Sequence, residues 1–382
     1  MTARAVNNFT TLAIKTISNM KNRILVLGLE ILCIAFFSCN SGDSYYNPDD
    51  VIVDKNDDNI VTISLLHVKD LPSISRGLTC IDNYLILTQE NRDSVFQVID
   101  MTNGASIASF GKVGHARNEF SSIPFRVYCS RNEKGDPMLC IQQKLCTKIV
   151  DIKKSVETNN CVVSKIIKEN KFLLFDYTFH FAENKWFNYK TVSYEDARDK
   201  EYIKPMFYMN DDANNEWDVF PQIITPTYSS LVDCAYAMNV LVSPNGKFAV
   251  GIHNFIDIVT IFDIDNHKSI GIVNPNSYTL KDMENEFNED NFDDKVMWYN
   301  TSGWASNNSF MVIKAGVLYQ NVAEDEDEEG TCAIKWYDWN GEKQASFIAN
   351  KKLNYIAYNE KTDVLYAISY ANKLYSCKLK NK

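Results

Sequence analysis

The sequence lacks the short motifs by which most hydrolases and nucleotide-dependent enzymes are recognised. It contains no Gly-x-Ser-x-Gly elbow, no phosphate-binding loop and no His-Glu-x-x-His pair. Its ten cysteines form no Cys-x-x-Cys pair and no Cys/His group with zinc spacing, and its five histidines are far apart. We therefore predict no catalytic residue, no metal site and no cofactor.

Positive charge and glycine are also scarce. The chain has 39 Lys and Arg residues and 49 Asp and Glu residues, which gives a net charge of −10 at pH 7. Nucleic-acid binding needs a basic surface, so nucleic acid is not expected as a partner. With only 14 glycines and 12% aromatic residues, the composition favours a well-packed β fold and argues against disorder.

The acidic run from Glu324 to Glu329 is the strongest local concentration of charge, and we interpret it as a solvated hairpin loop. Calcium is the one ion worth considering there. It would need oxygen ligands spaced around a turn, and this run does not supply that pattern. Calcium binding is therefore not supported by the sequence.

Long apolar runs are missing except near the N-terminus. Lys21 and Arg23 precede an apolar segment, Ile24 to Phe37, which is too short to span a bilayer comfortably and ends at Ser38-Cys39. This order is typical of a lipoprotein signal peptide over residues 20–39, with Cys39 as the lipidated first residue of the mature chain. Residues 40–58 are polar and rich in Asn and Asp, which predicts a flexible tether.

Two features depart from a standard lipoprotein signal. Glu30 interrupts the apolar segment, and Phe36 and Phe37 precede Ser38 where Leu and a small residue are usual. The alternative is a membrane-anchored or cytosolic protein with a buried apolar helix here. The start codon is open between Met1 and Met20, and with a start at Met20 residues 1–19 are an artefact of start-site assignment. We expect an exported, outer-membrane lipoprotein that faces either the periplasm or the cell surface.

A unit of short strands and tight turns recurs along the rest of the chain, and its clearest copy spans Val240 to Val273. The turn at Ser243–Lys247 carries Pro and Gly, which suit a β-turn. Apolar runs on either side alternate with polar residues and end at Asp-rich turns, as in a β-meander. One such sheet cannot bury both of its faces, so it needs copies beside it.

Comparable units predict an all-β fold for residues 59–382. The expected architecture is a β-propeller with six blades, each a four-stranded antiparallel sheet. The predicted blades cover 78–110, 125–152, 162–192, 234–273, 298–348 and 353–379, with an irregular connection at 195–233. The segment Val61–Val68 is predicted to be the strand that closes the ring, since closure removes exposed edge strands. Five or seven blades, or two smaller β domains, are the alternatives.

The segment that follows the first unit carries a family resemblance. It keeps Phe110, Gly111, Gly114, Glu119 and Phe120 in the order Phe-Gly-x-x-Gly followed by Glu-Phe, with Ala116-Arg117-Asn118 where a Gly-Pro would lie. In this motif and in its lipoprotein layout the chain resembles the TolB-like six-bladed β-propeller lipoproteins of Bacteroidetes-type bacteria. The resemblance implies a six-bladed propeller and a role in protein interaction at the cell envelope.

Five residues are candidates for contact with a ligand. His253 ends an apolar strand and could face a central funnel, although a structural histidine is the alternative. His115, Arg117 and Glu119 lie in the loop between blades, where Arg and Glu commonly form a surface pair. Trp304 belongs to a group of aromatic residues near strand ends that suit carbohydrate or peptide ligands, with core packing as the alternative.

The cysteines outside the signal peptide lie mostly in apolar, strand-like runs. This placement predicts buried free thiols. A disulfide between Cys140 or Cys146 and Cys161 is the alternative if the protein is exported.

Two functions compete. The first is a non-catalytic binding or protein-interaction module, tethered to a membrane by the lipid on Cys39, whose ligand is an envelope protein, a peptide or a glycan. The second is a hydrolase or lyase of the lactonase or glycosidase kind that uses the propeller funnel and acts on a glycan or small molecule. Such an enzyme needs carboxylates, a histidine or calcium on the funnel axis, whereas a funnel lined by aromatic and neutral residues favours binding.

Overall fold

Almost all regular structure in the described part of the chain is β-strand, as the alternating sequence pattern predicts. The computed structural model describes residues 46, 48–55, 59–124, 126–143, 146–168, 177–182, 185–189, 207–211, 216–219, 238–276, 297–318 and 329–379. The predicted signal peptide, Cys39 and most of the acidic run lie outside these residues. The fold is an all-β propeller of small antiparallel sheets.

Three short strands come first and each joins a sheet formed by a later part of the chain. They are β1 (Asp50–Val53), β2 (Ile60–Ile63) and β3 (Leu66–Asp70). The single closing strand predicted at 61–68 is thus two strands, because the chain passes from one sheet to the next at Ser64 and Leu65.

The first complete sheet, sheet I, has the four-stranded meander predicted for the first blade. Its strands are β4 (Ser75–Ile81), β5 (Tyr84–Gln89), β6 (Phe96–Asp100) and β7 (Ser106–Phe110). A short parallel pair, β8 (Lys112–Val113) and β9 (Glu119–Phe120), then leads to the next sheet.

Sheet II corrects the predicted boundary between the second and third blades. Its strands are β10 (Val127–Arg131), β11 (Pro137–Gln143), β12 (Cys146–Asp151) and β13 (Val163–Lys168), with helix α1 (Ile152–Thr158) between the last two. The β13 segment was predicted to lie in the third blade. Asp151 caps α1 by accepting a hydrogen bond from the Lys154 N–H at 3.0 Å, and the helix allows β13 to pair with β12.

Sheet III contains two strands in a segment that was predicted to be an irregular connection. Its strands are β14 (Tyr177–Ala182), β15 (Lys185–Tyr189), β16 (Phe207–Asp211) and β17 (Glu216–Val219). The prediction of an irregular connection was wrong for β16 and β17, because both strands are short and lie beside Asp and Asn residues, which are typical of loops. The rest of 195–233 lies outside the described residues.

Sheets IV and V each gain a fifth strand from the N-terminal segment. Sheet IV has β18 (Met238–Val242), β19 (Phe248–His253), β20 (Ile258–Asp263) and β21 (Lys268–Val273), and β1 pairs in parallel with β21. Sheet V has β22 (Met297–Ala305), β23 (Ser309–Leu318), β24 (Cys332–Asp338) and β25 (Lys343–Ala349), and β2 pairs in parallel with β25.

Sheet VI combines the last three strands of the described chain with β3 from its N-terminal part. Its strands β26 (Leu353–Asn359), β27 (Val364–Ser369) and β28 (Lys373–Lys378) come last in sequence, and β3 pairs antiparallel with β28 as the fourth strand. The register places Lys69 opposite Leu374 and His67 opposite Tyr375. The ring-closing role predicted for the N-terminal segment is therefore carried by β3.

The start of the propeller corrects the tether predicted for residues 40–58. Tyr46 is buried, and its hydroxyl lies 2.7 Å from the Thr260 Oγ1 on β20. The Asp49 carboxylate accepts hydrogen bonds from the N–H and the hydroxyl of Ser269, at 2.7 and 2.9 Å. The polar composition of this segment reflects pairing at a sheet edge, so the part from Tyr46 to Asp54 is not a free tether.

The core lies between neighbouring sheets, where middle strands are buried on both faces. The β5 strand buries every residue from Leu85 to Gln89, so its sequence does not show the alternation of a half-exposed strand. Between sheets IV and V, the Phe248 and Trp339 rings are stacked with centroids 5.1 Å apart. Trp339, an aromatic residue near a strand end, therefore packs in the core.

The loop that carries the family resemblance packs back onto sheet I. The Phe120 ring is fully buried and meets the Phe96 ring edge-on, with centroids 5.5 Å apart. Gly111 has φ +87°, and a Cβ there would lie 2.9 Å from the Phe120 ring. Glycine at 111 is therefore required by both the backbone and the packing.

Substituting Gly111 and Gly104 by alanine separates these two requirements. Gly104 has φ +74°, and a Cβ at this position would have no heavy atom within 4 Å. We expect G104A to cost about 1 kcal/mol of unfolding free energy from backbone strain. G111A adds the collision with Phe120, so we expect about 2–4 kcal/mol. Urea denaturation measures both, and equal losses would contradict the packing role of Gly111.

Candidate functional site

The first strands of the six sheets surround one cavity of about 150 Å³, which we call the axial cavity. In each sheet the lining strand is the first of its meander, namely β4, β10, β14, β18, β22 and β26. Four contacts between these strands are β4 with β10, β4 with β26, β22 with β26 and β18 with β22. A common cavity inside a ring of sheets is the usual position of a ligand site in a propeller.

Two arginines supply the positive charge of the axial cavity wall. Arg76 lies near the start of β4, and Arg126 immediately precedes β10. Arg76 forms an ion pair with Glu90, with its Nε 2.5 Å from the Glu90 Oε1. The lining residues that the structure describes include no Asp, Glu or His. The described wall therefore carries two guanidinium groups and no carboxylate, and Glu90 offsets the charge of Arg76 from outside the wall.

Cys80 and Cys129 also line the cavity but are poor nucleophiles. Both are free thiols, and burial raises the pKa of Cys80 to about 12 and raises the pKa of Cys129 further. The Cys80 thiol donates to the Tyr358 carbonyl at 3.3 Å, and the Cys129 Sγ lies 3.5 Å from the Thr79 Oγ1. A thiol held in its protonated form contributes packing and not covalent catalysis.

None of the other described cysteines forms a disulfide, and this group includes Cys140, Cys146 and Cys161. The disulfide considered between these three is therefore not formed. Burial raises the pKa of Cys140 to about 11 and the pKa of Cys161 to about 12. The expectation of buried, unreactive thiols agrees with this arrangement.

Trp304 is the one predicted ligand residue that reaches the described wall of the axial cavity. It lies on β22, is 7% exposed, and meets the Tyr358 ring edge-on with centroids 5.3 Å apart. Trp304 therefore packs against sheet VI and also borders the cavity, and its contact with a ligand stays a prediction.

His253 lies at the end of β19, the second strand of sheet IV, and is not among the described lining residues of the cavity. Its ring is fully buried, with Nε2 3.4 Å from the Thr260 Oγ1 and the Tyr46 ring edge-on at 6.3 Å. Its Nδ1 has no hydrogen-bond partner in the described part of the chain. Burial lowers the pKa of His253 to about 3, so the ring is neutral.

His115 and Arg117 lie in the loop between β8 and β9, Glu119 is the first residue of β9, and none of the three lines the axial cavity. The side chains of His115 and Arg117 are exposed. The Glu119 carboxylate accepts the Ala116 N–H at 2.9 Å, and a Cβ on Gly114 would collide with this carboxylate. Lys148 donates to the carbonyls of Arg117 and Glu119. The loop residues therefore fix the loop's shape.

A buried ionic cluster between sheets IV and V was missed from the sequence. The Asp54 carboxylate lies 2.5 Å from the Lys335 Nζ and 3.1 Å from the Lys343 Nζ, and Lys314 pairs with Asp257 beside it. Burial raises the pKa of Asp54, but the hydrogen bonds and charges of the lysines outweigh it and leave the pKa below its ordinary value. Its members are spread over residues 54–343, so no local motif reveals it.

The described residues contain neither a metal-ligand cluster nor a membrane-spanning helix. Within them, no group of three or more His, Cys, Asp or Glu side chains is placed to hold a metal ion. Among the same residues, no helix has both the length and the apolar character needed to cross a bilayer. Cys39, the predicted lipidation site, lies outside the described residues.

The neutral state of His253 predicts a pH dependence of stability. Below pH 6.5 the unfolded chain binds a proton at this histidine, whereas the folded chain does so only near pH 3. Stability is therefore lost as pH falls between these values, by about 2–3 kcal/mol from this group at pH 4.5. Urea denaturation at pH 7 and pH 4.5 should show a smaller loss for His253→Gln than for the wild type. His115→Gln, on an exposed loop, is the control, and an unchanged loss in His253→Gln would contradict the assignment.

Comparison with known proteins gives the fold. No family model matches the chain, and no curated protein matches it. Among solved structures, a member of the DUF4221 family from Bacteroides vulgatus has a TM-score of 0.53 and 10% identity over 84% of this chain and 99% of that one. A "Putative exported protein" from Bacteroides fragilis has a TM-score of 0.51 and 11% identity over 87% of this chain and 100% of that one. At such identities the chain shares their fold.

Proposed function

We propose that this protein is an envelope lipoprotein of the TolB-like kind, whose six sheets form the blades of one closed propeller that acts as a non-catalytic binding module. The six-blade count is supported by the shared axial cavity, to which each sheet contributes its first strand. The lipid anchor on Cys39 and the outer-membrane location rest on the order of residues 20–39.

The composition of the axial cavity wall carries the proposal. Its described lining residues are aromatic, aliphatic, hydroxyl or thiol groups, with Arg76, Arg126 and Asn239 as the strongly polar ones. A funnel hydrolase or lyase needs carboxylates or a histidine at the axis to move protons. The wall instead offers donors and an indole to a bound group, which supports binding over the hydrolase or lyase alternative.

The ligand class follows from charge and size. A guanidinium forms paired hydrogen bonds with a carboxylate, and Trp304 adds an aromatic surface to the same cavity wall. A cavity of about 150 Å³ holds an end group and not a long chain. We therefore assign it the acidic end of a glycan or peptide, presented by an envelope partner.

Titration with a uronate-terminated oligosaccharide tests the binding module. We expect the full lipidated chain in detergent to bind it with a change in Trp304 fluorescence and no cleavage. Arg126→Gln should weaken binding about tenfold, as expected for loss of one charged hydrogen-bond pair. Arg92→Gln, on an exposed loop outside the cavity, is the matched control.

The outcomes of this titration are distinct. Equal binding of the neutral oligosaccharide of the same length, or unchanged affinity in Arg126→Gln, would contradict the carboxylate assignment. Turnover of the oligosaccharide would overturn the non-catalytic function and favour the enzyme.

A further inference from the structure

Exposed apolar side chains concentrate on the N-terminal strands. Among the described residues, seven large hydrophobic side chains are exposed, and four of them belong to β1, β2 and β3. These four, which we call the N-terminal rim, are Val51 (58% exposed), Val53 (49%), Ile60 (51%) and Leu66 (69%). Single exposed hydrophobic residues are ordinary, but three consecutive short strands that each expose one or two need an explanation.

The rim lies on the outer edges of neighbouring sheets. The β1 strand is the outermost strand of sheet IV, β2 of sheet V and β3 of sheet VI. Contacts of β22 with both β18 and β26 make these three sheets neighbours in the ring. The rim therefore extends along one sector of the propeller's circumference.

Local structure directs the rim away from the core. Successive side chains on a strand point to opposite faces. Ile52 is half-buried, and its Cδ1 would lie 2.6 Å from a Cβ on Gly341, so this face of β1 packs onto sheet V. Val51 and Val53 consequently occupy the opposite, open face. The Asp54 cluster, which follows directly, holds β1 in this orientation.

The length of chain before β1 limits what can cover the rim. Tyr46 is the seventh residue after Cys39, and it is buried against β20. A fully extended chain spans about 3.3–3.6 Å per residue, so an acyl group on Cys39 can lie no more than about 25 Å from Tyr46. That distance is shorter than the hydrocarbon thickness of a bilayer, so the anchored membrane is close to this sector.

We propose that the N-terminal rim rests on the lipid surface to which Cys39 is anchored, so that sheets IV, V and VI face the membrane and sheets I to III face away. This rests on the lipid anchor of the proposed function. The rim side chains enter the boundary between head groups and acyl chains, as apolar residues of peripheral proteins do. The propeller axis and its cavity are then held at a defined orientation to the membrane.

Photo-crosslinking to lipid tests this orientation. The full lipidated chain carries p-benzoylphenylalanine at Val51, Val53 or Leu66 and is reconstituted in radiolabelled phosphatidylethanolamine and phosphatidylglycerol vesicles. Matched controls carry it at Ile107 on β7 and Ile166 on β13, which are exposed residues on the outermost strands of sheets I and II. We expect lipid adducts at the three rim positions to exceed those at the controls about tenfold, since the adduct yield follows immersion.

Three results would overturn the proposal. Equal adduct yields at rim and control positions would show that the rim has no preferred place at the membrane. Crosslinked dimers in place of lipid adducts would assign the rim to a second copy of the chain. The third result comes from flotation and palmitate labelling of the wild type and of Cys39→Ser. If the two proteins behave alike, Cys39 carries no lipid and the proposed anchor is wrong. If only the wild type is labelled and floats, but adduct yields are equal at rim and control positions, the anchor stands and only the orientation of the rim is wrong.

Discussion

The pairing of β3 with β28 is the constraint on which the rest of the structure depends. Six sheets packed face to face in a row would leave one uncovered sheet face at each end, and sheet VI would lack its fourth strand. Because β3 comes from the beginning of the described chain and β28 from its end, their hydrogen bonds close the row into a ring. The first strands of the six sheets all contribute residues to one cavity. The candidate site therefore depends on residues that never touch it.

Closure also explains why the segment before β3 is ordered. Once β3 is fixed, the preceding residues run along the neighbouring sheets, and β2 and β1 extend sheets V and IV in parallel. Asp54 lies between these two strands and is surrounded by Lys335, Lys343 and Lys314. Removing one partner of a buried ion cluster leaves the others uncompensated, so such a cluster fixes one register strongly. Strands β1 and β2 are thus part of the propeller.

Sequence patterns predicted the repeated units well and the long-range features poorly. The turn at Ser243–Lys247 and the runs around it predicted sheet IV, and Pro, Gly and Asn provide that signal locally. Strands β16 and β17 were missed because residues 207–219 have the polar composition of a loop. The strand position of β1 and the Asp54 cluster depend on partners more than 200 residues away, and no local pattern encodes such pairs. Of the candidate site residues, Trp304 lines the cavity, whereas His253 is buried and is not among the described lining residues.

Amide hydrogen exchange shows whether the pairing of β3 with β28 closes the ring. If β3 and β28 close the ring, the amides that form the hydrogen bonds between these two strands exchange only through global unfolding and are as protected as those of the central strand β5. If β3 opens locally and its amides exchange faster than those of β5 by a factor of about a thousand, which is roughly 4 kcal/mol, the ring is held by other contacts and the claim is wrong.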